Sequence, residues 1–183
     1  MQILASASYD DTIHLYADDP QDDWYPFHTV STHRSTVWSI TFSPEGTLLA
    51  SASDDRTIRI FRRLPRPPPI VSSNPFAGRV SINGKGDAGA GVDSKWEEVC
   101  VIEGAHERSI YSISWAQPGV PGLADNVGED EEDRGLILST GGDGRINVWH
   151  ITVCFLNSLQ WLTCTNALRR YPGPSLQRRL IWI

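Results

Sequence analysis

Cysteine is scarce in this chain of 183 residues. Only Cys100, Cys154 and Cys164 occur, and no two of them have C-x-x-C spacing. Three scattered thiols indicate neither a disulfide framework nor a zinc site. We therefore expect no metal and no cofactor. We also expect a reducing compartment, either the cytoplasm alone or the cytoplasm and the nucleus.

Long apolar runs are also missing. No run reaches the roughly 18 apolar residues of a membrane helix, and the first residues lack the basic, apolar and small-residue order of a signal peptide. The sequence thus predicts neither a membrane span nor export, and we expect no membrane partner.

Basic residues are outnumbered. Lys and Arg total 16 against 22 Asp and Glu, which gives a net charge of −6. The acids cluster at residues 18–23 and 129–133; such short runs are usually solvated loops, the alternative being an acidic docking patch. Because phosphate-binding surfaces are basic, we expect no nucleic-acid partner. Hydrophobic residues make up 40%, which is enough for a folded core.

What the chain does contain is an internal repeat. Residues 3–16 read ILASASYDDTIHLY, residues 48–61 read LLASASDDRTIRIF and residues 136–149 read LILSTGGDGRINVW. The copies align on an acidic residue and on a closing aromatic residue: Asp10, Asp55 and Asp143, then Tyr16, Phe61 and Trp149. A second template precedes two copies, HRSTVWSITFSP at 33–44 and HERSIYSISWAQP at 106–118.

Each repeat unit predicts four strands. The second template has the period-2 pattern of a strand, with Trp38, Ile40 and Phe42 on one face. The first template reads as two strands around an acidic turn. A weaker strand precedes each His-bearing segment, at residues 24–30 and 96–102. Four such strands make one antiparallel blade.

The His-bearing strand followed by L-A-S-A-S-x-D-x-T-I-R-I and an aromatic residue resembles the WD40 repeat, a unit of about 40 to 45 residues that builds propeller blades. The resemblance implies an all-β, partial β-propeller of about two complete four-stranded blades plus part of a third, with disordered inserts. It also implies a structural network of His, Ser, Asp and Trp in each blade. Its expected members are His33, Ser51, Asp55 and Phe61; His106, Ser139, Asp143 and Trp149; and Ser6, Asp10 and Tyr16. Phe61 has no indole N–H to donate, so its blade should lack one link.

The repeat also predicts the domain boundaries. We assign a partial blade to 1–32, a second blade to 33–64 with 96–102, a disordered Pro/Gly-rich insert to 65–95, a third blade to 103–151 with an acidic, mobile insert at 119–134, and a non-repeat tail to 152–183. The PRPPP stretch of the first insert has the alternative of a polyproline ligand. The tail matches neither template; it is either a short amphipathic helix over Phe155–Arg170 or a gene-model artefact. Since a closed ring needs at least about four blades, we expect a fragment of a propeller.

Three further sequence patterns resemble one particular group of WD40 proteins. SASYDDT followed by an acidic segment ending DDW, the STVWS strand, and the HERSIYS strand together resemble the WD40 subunit of the cytosolic iron–sulfur protein assembly (CIA) machinery, over residues 3–63 and 96–151. The resemblance implies a non-catalytic scaffold that docks other CIA targeting-complex subunits and iron–sulfur apoprotein clients, with no small-molecule substrate. The alternative is a generic WD40 adaptor in ubiquitin ligation, RNA processing or chromatin.

Two further interpretations concern side chains. His106, Ser139 and Asp143 have the residue types of a hydrolase triad, but their recurrence in register favours a structural network, so we assign no catalytic residue. Partner-binding candidates lie beside the network: Tyr9, Arg34, Trp38, Asp54, Arg108 and Tyr111. For Trp38 and Tyr111 the alternative is packing between blades, and for Arg34 and Arg108 it is a solvated loop charge.

Overall fold

Every regular element in the described part of the chain is a β-strand. The computed structural model describes residues 2–18, 23–64, 95–118, 131–156 and 159–166. Within these ranges no helix is long and apolar enough to span a membrane. Eleven strands in these ranges form three antiparallel sheets, which confirms the all-β class and the partial propeller.

The strands of each sheet lie side by side in chain order. The first sheet contains β1 Ile3–Ala7, β2 Ile13–Asp18 and β3 Trp24–Val30. The second contains β4 Val37–Phe42, β5 Leu48–Ser53, β6 Ile58–Arg63 and β7 Trp96–Ile102. The third contains β8 Ile110–Ala116, β9 Glu131–Gly141, β10 Ile146–Leu156 and β11 Leu159–Asn166.

The second sheet is covered on both faces, and β5 shows why its sequence suits that place. All six of its residues are buried. Because successive side chains of a strand point to opposite faces, Leu48, Ala50 and Ala52 pack toward the third sheet while Leu49 packs toward the first. The small alanines and serines of this strand allow the neighbouring sheets to approach closely.

Two apolar clusters join the three sheets. The larger lies between the second and third sheets and includes the fully buried side chains of Ile58, Ile110 and Ile137. The smaller lies between the first and second sheets and includes Leu15 and Phe61. Burying one such side chain contributes about 1.5 to 3 kcal/mol, so these clusters supply most of the attraction between sheets.

Residues 152–156 and 159–166 belong to the third sheet. β11 pairs antiparallel with β10 along its whole length, so the helix considered over Phe155–Arg170 is wrong for the residues described up to 166. The physical reason is that without β11 one edge of β10 would leave its backbone N–H and C=O groups unpaired. The Thr-containing segment of β11 suits an extended strand and buries Leu162.

Residues 131–134 were also wrongly assigned, since they belong to β9 rather than to a mobile acidic insert. Asp133 Oδ1 accepts hydrogen bonds from His150 Nε2 at 3.0 Å and from the N–H of Gly135 at 2.8 Å. Arg134 donates to Glu45 of the β4–β5 turn at 3.2 Å, which links the third sheet to the second. These partners hold the charged residues in a strand.

The other parts of the two predicted inserts, residues 65–94 and 119–130, lie outside the described residues. The ends of the first one meet, because the N–H of Leu64 donates to the carbonyl of Lys95 at 2.8 Å. β7 can therefore follow β6 in the same sheet although the two strands are far apart in sequence.

The acidic turns of the three repeat copies share one backbone conformation. The residue after the aligned Asp is left-handed each time: Asp11 has a φ of 71°, Arg56 of 66° and Gly144 of 71°. Only glycine adopts this region without steric cost, so the third copy carries the residue that fits best.

This conformation gives a stability prediction. Arg56→Gly should raise the free energy of unfolding by about 0.5 to 1 kcal/mol, because it removes the clash of Cβ with the backbone. Arg56→Ala keeps the Cβ and is the matched control, expected to give no gain. Urea denaturation followed by tryptophan fluorescence measures both; an equal gain in the two variants would contradict the explanation.

Candidate functional site

The His-bearing segment before β4 folds onto the β5–β6 turn. The Nδ1–H of His33 donates to Asp55 Oδ2 at 2.9 Å, and its Nε2 accepts from the hydroxyl of Ser51 at 2.6 Å. The N–H of Arg34 donates to the same carboxylate at 3.0 Å, and the N–H and hydroxyl of Thr57 donate to its other oxygen at 3.0 and 2.7 Å. Segment, turn and strand are thus joined.

The third sheet repeats this geometry with one more link. The Nδ1–H of His106 donates to Asp143 Oδ1 at 2.9 Å, and its Nε2 accepts from Ser139 Oγ at 2.9 Å. Trp149 on β10 donates its indole N–H to the same Ser139 oxygen at 3.1 Å. The backbone N–H groups of Glu107 and Arg145 also donate to the Asp143 carboxylate, each at 3.0 Å.

Phe61 takes the place in the second sheet that Trp149 has in the third. Its ring is only 1% exposed and packs in the apolar cluster with Leu15 and Leu49. The second sheet therefore replaces the indole hydrogen bond to its serine with apolar packing, in agreement with the absence of an N–H on phenylalanine.

The first copy is a turn rather than a His-centred network in the described residues. The N–H of Thr12 donates to Asp10 Oδ1 at 3.1 Å, and His14 Nε2 lies 3.1 Å from the Thr12 hydroxyl. Ser6 is exposed on β1, and Tyr16 packs beside the His14 ring with centroids 6.4 Å apart. In the described residues the Asp10 side chain thus contacts its own turn and His14 of the following strand, at 4.0 Å.

The carboxylates of both networks are strongly held in the charged form. Burial by itself raises the pKa of Asp55, but hydrogen bonds from His33, Thr57 and a backbone N–H outweigh it and place the pKa well below the ordinary value of 3.8. The pKa of Asp143 is lowered in the same way, since His106 and two backbone N–H groups outweigh burial. The charge in turn favours the Nδ1–H tautomer of each histidine.

Ser, His and Asp stand in the bonding order of a hydrolase triad in both sheets. Ser51 and Ser139 are each 0% exposed, and His33 and His106 are buried beside them. A nucleophile must reach its substrate and needs oxyanion donors next to it. In this conformation neither serine is accessible to a substrate. The hydrogen bonds instead connect the His-bearing segment, the acidic turn and the strand that carries the serine.

Several turns lie together at one end of the sheets. These are the turns β1–β2, β5–β6 and β9–β10, and beside them lie the segments that lead into β4 and β8. Backbone hydrogen bonds align them: the N–H of Val37 donates to Ser8 O at 3.1 Å, and the N–H of Gly142 donates to Ser109 O at 2.9 Å. We call this end the turn face; it comprises residues 8–12, 34–38, 54–57, 107–111 and 142–145.

All the predicted partner-binding residues are exposed on the turn face: Tyr9, Arg34, Trp38, Asp54, Arg108 and Tyr111. The Tyr9 side chain is 82% exposed. Trp38 and Tyr111 meet edge to face, with ring centroids 5.8 Å apart, and remain 47% and 54% exposed. They therefore pack against each other between two sheets and still present about half of their surface.

Other residues of the turn face were missed by the sequence analysis. Gly142 lies under the aromatic pair, where a Cβ would come within 3.3 Å of the Tyr111 ring and 3.5 Å of Arg108. Arg145 forms an exposed ion pair of 2.9 Å with Glu107 across the same face. The change from SASDD to STGGD between copies was the available signal for Gly142.

A protein-family model described as WD domain, G-beta repeat, matches residues 24–62. These residues therefore form a WD repeat. This WD repeat contains β3, the last strand of the first sheet, and β4 to β6, the first three strands of the second sheet. The sequence repeat and the sheet therefore differ by one strand, and a single repeat connects the first sheet to the second.

Three curated proteins that are similar to between 65% and 99% of the chain are named for the same process. The chain is 43% identical to the probable cytosolic iron-sulfur protein assembly protein Ciao1 of Aedes aegypti, covering 65% of the chain and 31% of that protein. Identity to the protein of the same name from Culex quinquefasciatus is 44%, covering 75% of the chain and 32% of the relative. Identity to probable cytosolic iron-sulfur protein assembly protein 1 of Sclerotinia sclerotiorum is 32%, covering 99% and 40%. The chain thus spans about a third to two fifths of the length of these relatives.

The lowered carboxylate pKa values predict acid sensitivity. A carboxylate whose pKa is lower in the folded state adds stability above its unfolded pKa, near 3.8, and that stability is lost as pH falls further toward the folded pKa. Below about pH 4 the wild-type free energy of unfolding, measured in urea, should therefore fall, and Asp55 contributes at most about 1.4 kcal/mol per pH unit to this fall. Asp55→Asn should flatten this fall, with Asp54→Asn as the control for charge lost from the same turn; parallel curves for wild type and Asp55→Asn would refute the linkage.

The network also predicts the effect of removing its serine. Ser139→Ala leaves the Trp149 N–H buried without its partner and removes the 2.9 Å hydrogen bond of His106 Nε2, which then keeps only Asn147 Nδ2 at 3.4 Å. The free energy of unfolding should therefore fall by about 2 to 3 kcal/mol. Ser112→Ala, at an exposed serine of β8, is the matched control and should change it by less than about 0.5 kcal/mol. Equal stability of both variants in urea, together with loss of an esterase turnover only in Ser139→Ala, would favour the hydrolase interpretation instead.

Proposed function

We propose that this chain is part of a non-catalytic WD40 scaffold of the cytosolic iron–sulfur protein assembly machinery, required for the maturation of extramitochondrial iron–sulfur proteins through protein–protein docking. The observation that carries the proposal is the identity of 43% and 44% to the two mosquito proteins named for this process. The alignments to these two proteins cover 65% and 75% of the chain, and residues 24–62 match the WD repeat model.

The side-chain chemistry supports docking over catalysis. The only Ser–His–Asp arrangements in the described residues are buried at their serines, whereas the turn face exposes aromatic and charged groups. Exposed aromatic and Arg side chains are the residue types that most often dominate the binding energy of protein interfaces. A surface of this composition suits a protein partner better than a small molecule, which needs a concave site.

Trp38 and Tyr111 form the centre of the proposed interface. They contact each other across the second and third sheets, so a partner that covers them binds both sheets together. Their edge-to-face contact holds each ring in place before binding, which lowers the entropy lost on association. Arg34 and Arg108 precede them by a few residues and would supply the polar rim.

The proposed partners are other subunits of the CIA targeting complex and the iron–sulfur apoproteins that it serves. The names of the relatives place their process in the cytosol, and we place this chain in the cytoplasm and, for nuclear client proteins, also in the nucleus. With a net charge of −6 it is not expected to bind nucleic acid. A generic adaptor role in ubiquitin ligation, RNA processing or chromatin would use the same fold, so only the identity of the partners separates the two.

The interface proposal is tested by Trp38→Ala with Trp24→Ala as its control. Both indoles are about half exposed, at 47% and 45%, but Trp24 begins β3 at the opposite end of the first sheet from the turn face. In cells of the source species depleted of the protein, we expect wild type and Trp24→Ala to restore iron incorporation into cytosolic apoproteins. Trp38→Ala should bind its partners about 10- to 30-fold more weakly, as loss of an interface anchor does, and restore little.

A mitochondrial iron–sulfur enzyme is the specificity control, and its activity should not change on depletion. The protein tagged at its own locus is purified in parallel, and its partners are identified by mass spectrometry. Recovery of ligase, spliceosomal or chromatin subunits, with cytosolic iron–sulfur enzymes unaffected by depletion, would replace the proposal with the adaptor alternative. Equal rescue by Trp38→Ala and Trp24→Ala would leave the process but reject the turn face as its interface.

A further inference from the structure

Two cysteines that are far apart in sequence meet at the outer side of the sheets. Cys100 lies on β7, the outermost strand of the second sheet, and Cys164 lies on β11, the outermost strand of the third. Their sulfur atoms are 3.1 Å apart although 64 positions separate them in the chain. Both are free thiols, Cys100 buried and Cys164 partly buried against the same apolar cluster.

The distance is close to that of a covalent bond. A disulfide has an S–S length of about 2.05 Å, so the two sulfurs need to approach by only about 1 Å, a shift that side-chain rotation can supply. β7 and β11 are also the sheet edges, each hydrogen-bonded to one neighbouring strand in the described residues. Edge strands open most readily, which gives the sulfurs room to move and a reagent room to enter.

We propose that Cys100 and Cys164 form a reversible disulfide that locks the second sheet to the third, with a low-molecular-weight disulfide such as glutathione disulfide as the oxidant. The Cys164 thiolate attacks one glutathione sulfur, forms a mixed disulfide and releases one glutathione thiolate. The Cys100 thiolate then attacks the Cys164 sulfur and releases the second. The two protein thiols lose two protons and two electrons, and the oxidant becomes two molecules of reduced glutathione.

The order of attack follows from exposure. Cys164 retains some solvent access while Cys100 is 3% exposed, so the first exchange takes place at Cys164 and Cys100 acts as the resolving thiol. The hydrogen bond from Cys100, together with burial, raises the pKa of Cys164. Because the thiolate is the reacting form, the raised pKa slows the first exchange, and the pair responds slowly to an oxidising shift.

The lock would add a constraint that the reduced protein lacks. On the inner side, β8 already packs on β4, where the N–H of Ile113 donates to Ser39 Oγ at 3.3 Å. At their outer edges the described parts of the two sheets meet through the apolar cluster and the non-covalent contact of the two thiols. A bond between β7 and β11 therefore fixes the separation of the sheets at both sides and prevents β11 from detaching.

The test uses the Cys154→Ser chain, in which Cys100 and Cys164 are the remaining thiols. The folded chain is incubated with excess glutathione disulfide, alkylated and digested with trypsin without reduction. We expect peptide 96–108 linked to peptide 146–169 at a mass two hydrogens below the sum of the peptides. The oxidised chain should melt about 5 to 10 °C higher than the reduced one, and dithiothreitol should reverse both results.

Wild type provides a second measurement that does not depend on the variant. Chymotrypsin cleaves after Trp161, between Cys154 and Cys164, so the linked cysteine is identified directly. Cys164→Ser must abolish the cross-link. Stable glutathione adducts without a cross-link, a link to Cys154, a link between two chains, or reaction only in urea would each overturn the proposal.

Discussion

A hydrogen bond between a histidine before the first strand and an aspartate in a distant turn organises both complete sheets. His33 reaches Asp55, and His106 reaches Asp143, at 2.9 Å in each case. The carboxylate accepts further backbone N–H groups, so the bond sets the path of the segment and the shape of the turn together. Because these groups are buried, each needs its partner, and a change to one member leaves the others unsatisfied.

The turn face depends on this bond. The network holds the starts of β4 and β8 against the turns, and these starts carry Trp38 and Tyr111. Buried polar groups thus position exposed aromatic groups, each of which follows its network histidine by five residues. The network is a scaffold with the residue types of an active site, while the binding surface lies outside it, where side chains are free to meet a partner.

The outer side of the sheets is held together by other interactions. There the second and third sheets meet through apolar side chains and through the thiols of Cys100 and Cys164 rather than through a repeated network. The third sheet gains its outer strand from a segment with no similarity to the repeat templates, because any extended segment with a suitable apolar face can complete an open sheet edge.

The sequence by itself determined the features that are local or that repeat. Period-2 patterns predicted the strands, the aligned Asp residues predicted the turns, and the resemblance to the WD40 repeat implied the partners of His33 and His106. Tertiary structure alone decided the edge-to-face contact of Trp38 with Tyr111, the pairing of β11 with β10, and the meeting of Cys100 with Cys164. Trp38 and Tyr111 hold equivalent positions in two copies of the repeat, but the sequence does not say that their rings meet. Each of these contacts joins residues of different strands, so only the pairing of strands and the packing of sheets bring them together.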